Sequence, residues 1–245
     1  MWRETASILV IEDTAPLGGA PLKVYLKGMS VTHDTSAEVR HSTPPGLLSR
    51  VKGMLLSPRV EWSLIAAESQ ATPRLYTGFV MPLAILDALI AFIHVSIVGT
   101  TEPLIGTVRV PVTGGLITAL LVFGCGLSGI FVIAWIIDAL APFFGAMRNR
   151  RVASAVAAYA STPIWLATAF VPFPTLWPPL QVLAVIYHTY LLYLGLRLLI
   201  KAPRDRVLGY ATTIVLCSIL LEIVFAIFST ALGGATHLNP YHAFG

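Results

Sequence analysis

The chain has 245 residues, a formal charge of +4, 56% hydrophobic residues and only 11% charged ones, far from the quarter-charged makeup of soluble domains. A mean hydropathy of +0.79 argues against an ordinary water-soluble enzyme and for a single membrane domain. The basic residues stand singly or in short groups beside apolar stretches, which suits anionic lipid headgroups and argues against a nucleic-acid partner.

Residues 1–45 are polar, rich in Thr, Ser, Pro and Gly, and show no sustained period of two or 3.6. They read as a flexible cytoplasmic tail. The short apolar run Ala6 to Ile11 stops at Glu12 and Asp13, so no cleaved signal peptide is expected, and Met29 and Met54 are alternative starts. From 46 to 72 the pattern becomes amphipathic. Leu48, Val51 and Leu55 recur at helical spacing, Arg50, Lys52 and Arg59 offer a polar side, and Trp62 suits the headgroup level. Ser57 before Pro58 fits an N-cap and first helical position, predicting two short helices in the membrane plane.

Five apolar stretches follow, each long enough to cross about 30 Å of hydrocarbon: Phe79 to Gly99, Gly114 to Ala141, Ala153 to Phe173, Trp177 to Ile200 and Val207 to Leu232. The expected fold is therefore all-α, an integral membrane bundle of five transmembrane helices over residues 73–232 behind an N-terminal amphipathic interfacial helix. Arg50, Lys52, Arg59 and Arg74 precede the first stretch, Arg148, Arg150 and Arg151 follow the second, and Lys201, Arg204 and Arg206 follow the fourth. Basic residues concentrate in cytoplasmic loops, so the N-terminus is expected in the cytoplasm and residues 233–245 outside. The remaining breaks hold Glu102 and Arg109 and then no charge. The bilayer itself is the expected partner. Cys125 and Cys217 lie within apolar stretches, as small hydrophobes.

Ionisable groups within a span are functional candidates because burying them is costly. At about 1.5 Å per residue, Asp87 and His188 fall roughly 12 to 14 Å from the cytoplasmic edge, and His94 and Glu222 roughly 22 Å. These four form a candidate buried polar network, either a proton or cation relay or a set of neutralising contacts between helices. Asp138 and Arg197 fall at the cytoplasmic boundary as an expected interfacial ion pair. Gly124, Gly126 and Gly129 satisfy a G-x-G-x-x-G pattern in mid-span, where no strand or aqueous face serves a nucleotide. They instead allow close helix packing, with Ala153, Ala157 and Ala160 as partner face and homo-oligomerisation open to the same surface. Pro163 is expected to kink the third helix, with Ser161 and Thr162 satisfying the freed carbonyls. Tyr187, Tyr190 and Tyr193 suit helix packing. His237 with His242, and His33 with His41, lack the spacing and supporting ligands of a metal site. No catalytic constellation and no cofactor motif stands out, so the chain reads as a non-enzyme.

The segment Leu55-Leu56-Ser57-Pro58-Arg59-Val60-Glu61-Trp62 resembles the approach to the first span in bacterial members of the Yip family, the Ypt/Rab-interacting proteins. Ile136 to Gly145 (IIDALAPFFG), Ala158 to Trp165 (AYASTPIW), Tyr187 to Gly195 (YHTYLLYLG), Pro203 and Tyr210 continue the resemblance in order, over about Leu47 to Ser229. The resemblance implies five spans and a cytoplasmic N-terminus, with Asp138 anchoring the turn toward Arg148. In eukaryotes the family is linked to Rab-type GTPases, vesicle traffic and membrane shaping. This chain carries no clear copy of the acidic Asp-Leu-Tyr-Gly-Pro motif of those relatives, which argues against a GTPase partner. Two functions follow: a membrane-organising protein that gathers lipid or protein partners, and alternatively a small transporter or channel passing protons or cations along the buried acids and histidines. The absence of an internal repeat or paired broken helices argues against the second.

Overall fold

The computed structural model describes residues 25–26, 29–30, 46–68, 72–102 and 106–235, with side-chain surroundings at 46–68, 74–100 and 106–228. The expected tails at 1–45 and 233–245, with His33, His41, His237 and His242, lie almost wholly outside them. Two units divide near Pro45. In the first, β1 (Tyr25–Leu26) and β2 (Met29–Ser30) pair antiparallel, Tyr25 opposite Ser30.

The second unit is helical. α1 (Leu47–Leu56) and α2 (Pro58–Ala67) meet at Ser57. The helix ends there because Pro58 has no N–H to continue an α-helical ladder and is pre-set for a first helical position. Ser57 takes the N-cap place without a side-chain cap hydrogen bond. α3 (Thr72–Leu75) runs through a π-helical turn at Tyr76–Val80 into α4 (Met81–Phe92), which ends in a second π-helical stretch at Ile93–Val98. A hairpin of β3 (Thr100–Glu102) and β4 (Gly106–Val108) turns the chain into α5 (Val112–Leu140). The two hairpins depart from a purely helical expectation, and the second is supported by β-branched Thr100, Thr101, Thr107 and Val108.

Among the described residues, four helical stretches are long and apolar enough to cross a membrane: Tyr76–Val98, Val112–Phe144, Trp177–Leu198 and Val207–Phe228. The third expected stretch is instead two helices, α6 (Arg150–Ala160) and α7 (Thr162–Thr168), followed by turns to Leu176. Pro163 enforces the break at Ser161. The Ser161 hydroxyl donates to the Ala157 carbonyl at 2.9 Å and Thr162 Oγ1 to Tyr159 at 2.6 Å, satisfying oxygens that a straight helix would have used. α8 (Trp177–Leu198) and α9 (Val207–Ala235) complete the bundle.

The core lies at one end of the long helices. Its buried residues come from the start of the first long helix (Phe79 to Ala84), the end of α5 and the residue after it (Ile130 to Ala141), the second half of α8 and the residues just after it (His188 to Ile200) and the first turns of α9 (Val207 to Ile214). α6 is at its centre, with every residue from Ala153 to Pro163 buried. Small side chains make this possible, since a helix surrounded on all sides must let its neighbours approach closely. Elsewhere Leu89, Leu120, Val182, Leu216 and Ile227 are exposed, as suits a lipid solvent.

α1 and α2 pack on this core end. The Tyr187 hydroxyl of α8 donates to the Met54 and Leu55 carbonyls at 3.2 and 2.8 Å, occupying acceptors that the end of α1 leaves open. Tyr187→Phe is expected to cost about 1 kcal/mol by losing these bonds. A thermal-unfolding midpoint in detergent that falls by a few degrees checks it, and an unchanged midpoint contradicts it.

Candidate functional site

Two constellations stand out. The first is the ion cluster under α1 and α2, where helical period predicts membrane-surface residues. Lys52 and Arg59 are exposed as expected. Arg50 and Trp62 are not: their residues are 4% and 0% exposed. Arg50 Nη1 reaches Glu61 Oε1 at 2.6 Å and Nη2 reaches Glu68 at 2.6 Å, while the guanidinium stands 5.4 Å from the Tyr159 ring centre. The helical period alone assigned Arg50 to the polar side, but the acids that draw it inward lie 11 and 18 residues later. Burial alone lowers the Arg50 pKa, but Glu68, Tyr159 and Glu61 outweigh it, so the pKa rises above the ordinary arginine value. Trp62 packs edge-on toward Tyr159 and against Gly195.

The second is a cavity of about 370 Å3 between the long helices and α7, beside the packed core. Asp87 of α4, His188 of α8 and Glu222 of α9 all line it, with Trp165 and Gln181. His188 is buried, and Nδ1 stands 2.8 Å from the Ala160 carbonyl. A carbonyl only accepts, so Nδ1 carries the hydrogen and Nε2 is the nitrogen left for other partners. The Thr168 hydroxyl lies beside the Asp87 carboxylate. His188 and Asp87 line the same cavity, His188 beside residue 160 and Asp87 beside residue 168. His94 is not among the lining residues, and its Nδ1 is buried without a partner. Glu222, expected beside His94, lines the cavity with Asp87 and His188.

Asp138 and Arg197 form no ion pair among the described residues, and Asp138 Oδ1 is buried without a hydrogen-bond partner. Tyr210, a landmark of the family resemblance, holds this corner. Its hydroxyl donates to the Ile137 carbonyl, and its ring stacks on Phe144 at 4.7 Å. Gly126 faces Trp165 and Gly129 faces Phe225, both within the chain, whereas Gly124 is exposed with nothing within 4 Å of a Cβ. Ala153, Ala157 and Ala160 are all fully enclosed. No group of three or more His, Cys, Asp or Glu suited to a metal occurs among the described residues.

Residues 52–231 match the Yip1 domain family model. Inner membrane protein YohC of Escherichia coli strain K12 is 25% identical over 183 residues, covering 74% of this chain and 94% of that protein. The protein of the same name from Escherichia coli O6:H1 gives the same figures. No solved structure matches. The family match takes in all four long helices as well as the broken α6 and α7. With nearly three-quarters of its length in that match, the chain belongs to the Yip1 domain family of membrane proteins.

Proposed function

We propose that this is a non-enzymatic protein of a bacterial inner membrane, which organises lipid or gathers protein partners at the cytoplasmic surface through α1 and α2. The observation that carries the reading is their two-sided character. Arg50, Met54, Trp62 and Ile65 hold the pair against the bundle, while Leu48, Leu56, Val60 and Leu64 stay 81%, 71%, 59% and 50% exposed. Lys52 and Arg59 are exposed beside them and suit anionic headgroups.

Five crossings with the N-terminus inside and the C-terminus outside belong to the same reading. The end of α5 and the α8–α9 loop meet, since a Cβ at Gly145 would touch Pro203 and Arg206. Both carry basic residues and face the cytoplasm by that criterion. If α5 and α8 both finish inside and α8 crosses, it starts outside, so α6 and α7 together carry the chain across as a broken fifth span. The break is tolerable because protein, not lipid, surrounds it.

The test is reconstitution in vesicles of anionic and neutral lipid, with vesicle diameter read by electron cryomicroscopy. The native protein is expected to reshape the vesicles or crowd at curved regions. Leu48→Asp with Leu56→Asp is expected to abolish this with the unfolding midpoint within about 2 °C of native, since exposed substitutions cost little. Unaltered reshaping by that variant rejects the role of α1 and α2.

A further inference from the structure

The groups that line the cavity of about 370 Å3 are suited to accept hydrogen bonds and to attract positive charge. Asp87 and Glu222 supply carboxylates from two helices, and neither forms an ion pair among the described residues. Neither Lys nor Arg lines the space. Gln181 presents a buried Oε1 without a hydrogen-bond partner. His188, only 6% exposed, has Nδ1 engaged by Ala160 and keeps Nε2 for a further partner. Glu222 is exposed on an otherwise strongly apolar helix, where a carboxylate is costly until a cation or donor meets it.

A bare metal ion does not fit, because no three such ligands converge among the described residues. A larger cation does. The volume lies within the range of sites for small organic molecules, and Ile130, Trp165 and Phe225 give it an apolar and aromatic wall. Aromatic rings beside carboxylates are a common setting for an ammonium group on a hydrophobic body.

We propose that this cavity binds a small organic ammonium, with its charge drawn to Asp87 and Glu222 and its body against Trp165, Ile130 and Phe225. Two sources share this chemistry: a free hydrophobic amine and the amino headgroup of phosphatidylethanolamine. The proposal is independent of α1 and α2, so either reading can fail without the other.

The probe is phenethylammonium, titrated calorimetrically into the full-length protein in phosphatidylcholine nanodiscs, with empty nanodiscs as reference and 2-phenylethanol as the uncharged analogue. Saturable one-to-one binding of the amine but not the alcohol is expected. Asp87→Asn and Glu222→Gln, which keep side-chain shape, are each expected to weaken it at least tenfold with unchanged unfolding midpoints. Weaker apparent binding in nanodiscs containing phosphatidylethanolamine assigns the site to the headgroup, and equal binding assigns it to a free amine. No saturable binding by the native protein, equal binding of the alcohol, or undiminished binding by the folded variants overturns the proposal.

Discussion

Arg50→Ala is expected to destabilise the protein by about 3–5 kcal/mol, the cost of leaving a buried carboxylate without its partner. The Arg50 side chain is 4% exposed and that of Glu61 11%, so Glu61 carries most of the penalty. Glu68, at 37% exposed, is largely satisfied by water and adds little. A fall in the detergent unfolding midpoint of roughly 6–20 °C follows from that range. Arg50→Met with Glu61→Leu removes both charges and is expected to recover most of the loss, because an ion pair and an apolar pair of similar volume are nearly equivalent in a buried site. A single-variant loss below about 1 kcal/mol would instead mean that water reaches the cluster.

Two further outcomes come from the same cluster. The folded-state pKa of Arg50 is raised, so its contribution is complete below the ordinary arginine range and is lost only as pH climbs above that range. The Arg50-dependent part of stability, measured as native minus Arg50→Ala at each pH, should therefore show no loss from deprotonation of Arg50 between pH 5 and 9. Gly53 lets the pair form. A Cβ there would collide with Glu61 Oε2, so Gly53→Ala must shift the Glu61 carboxylate that Arg50 holds.

Long-range features of this chain were legible where they depend on composition and punctuation. Apolar length gave four of the long helices within a few residues, Pro58 gave the joint between α1 and α2, and Pro163 gave a discontinuity with Ser161 and Thr162 serving its carbonyls. What sequence period does not encode is which apolar neighbour surrounds a segment. The third stretch has the composition of a span but is 11 and 7 residues of helix, and α6 is buried in protein from Ala153 onward. Arg50 and Trp62 look interfacial by helical position, yet partners far away in the chain bring both inside. Depth along the helices brings Asp87, His188 and Glu222 to levels that share one cavity, but depth does not say which way a side chain faces. His94 and the Asp138–Arg197 pair show the same limit, since equal depth does not place two side chains on facing helix surfaces.

The contact between Trp62 and Gly195 is the second place where one substitution should have a large effect. Trp62 is fully enclosed, and a Cβ at Gly195 would stand 2.9 Å from its Cη2, 3.0 Å from Cζ2 and 3.1 Å from Val156 Cγ1. Only glycine lets α8 approach the indole this closely. Trp62→Ala is expected to cost about 3–5 kcal/mol through lost contacts and the cavity left behind. Gly195→Ala should cost about 1–3 kcal/mol by overpacking. The indole Nε1 is buried without a hydrogen-bond partner, so Trp62→Phe forfeits no hydrogen bond while shortening the ring. In that background the added methyl at 195 is relieved of the indole contacts and keeps only the one with Val156, so Gly195→Ala should cost clearly less. A double-mutant cycle on unfolding free energies therefore expects coupling of about 1 kcal/mol or more in the direction of rescue. Additive costs would mean that α2 moves off α8 when Gly195 is filled, and that the seat of α2 is set by Arg50 and its acids rather than by the indole.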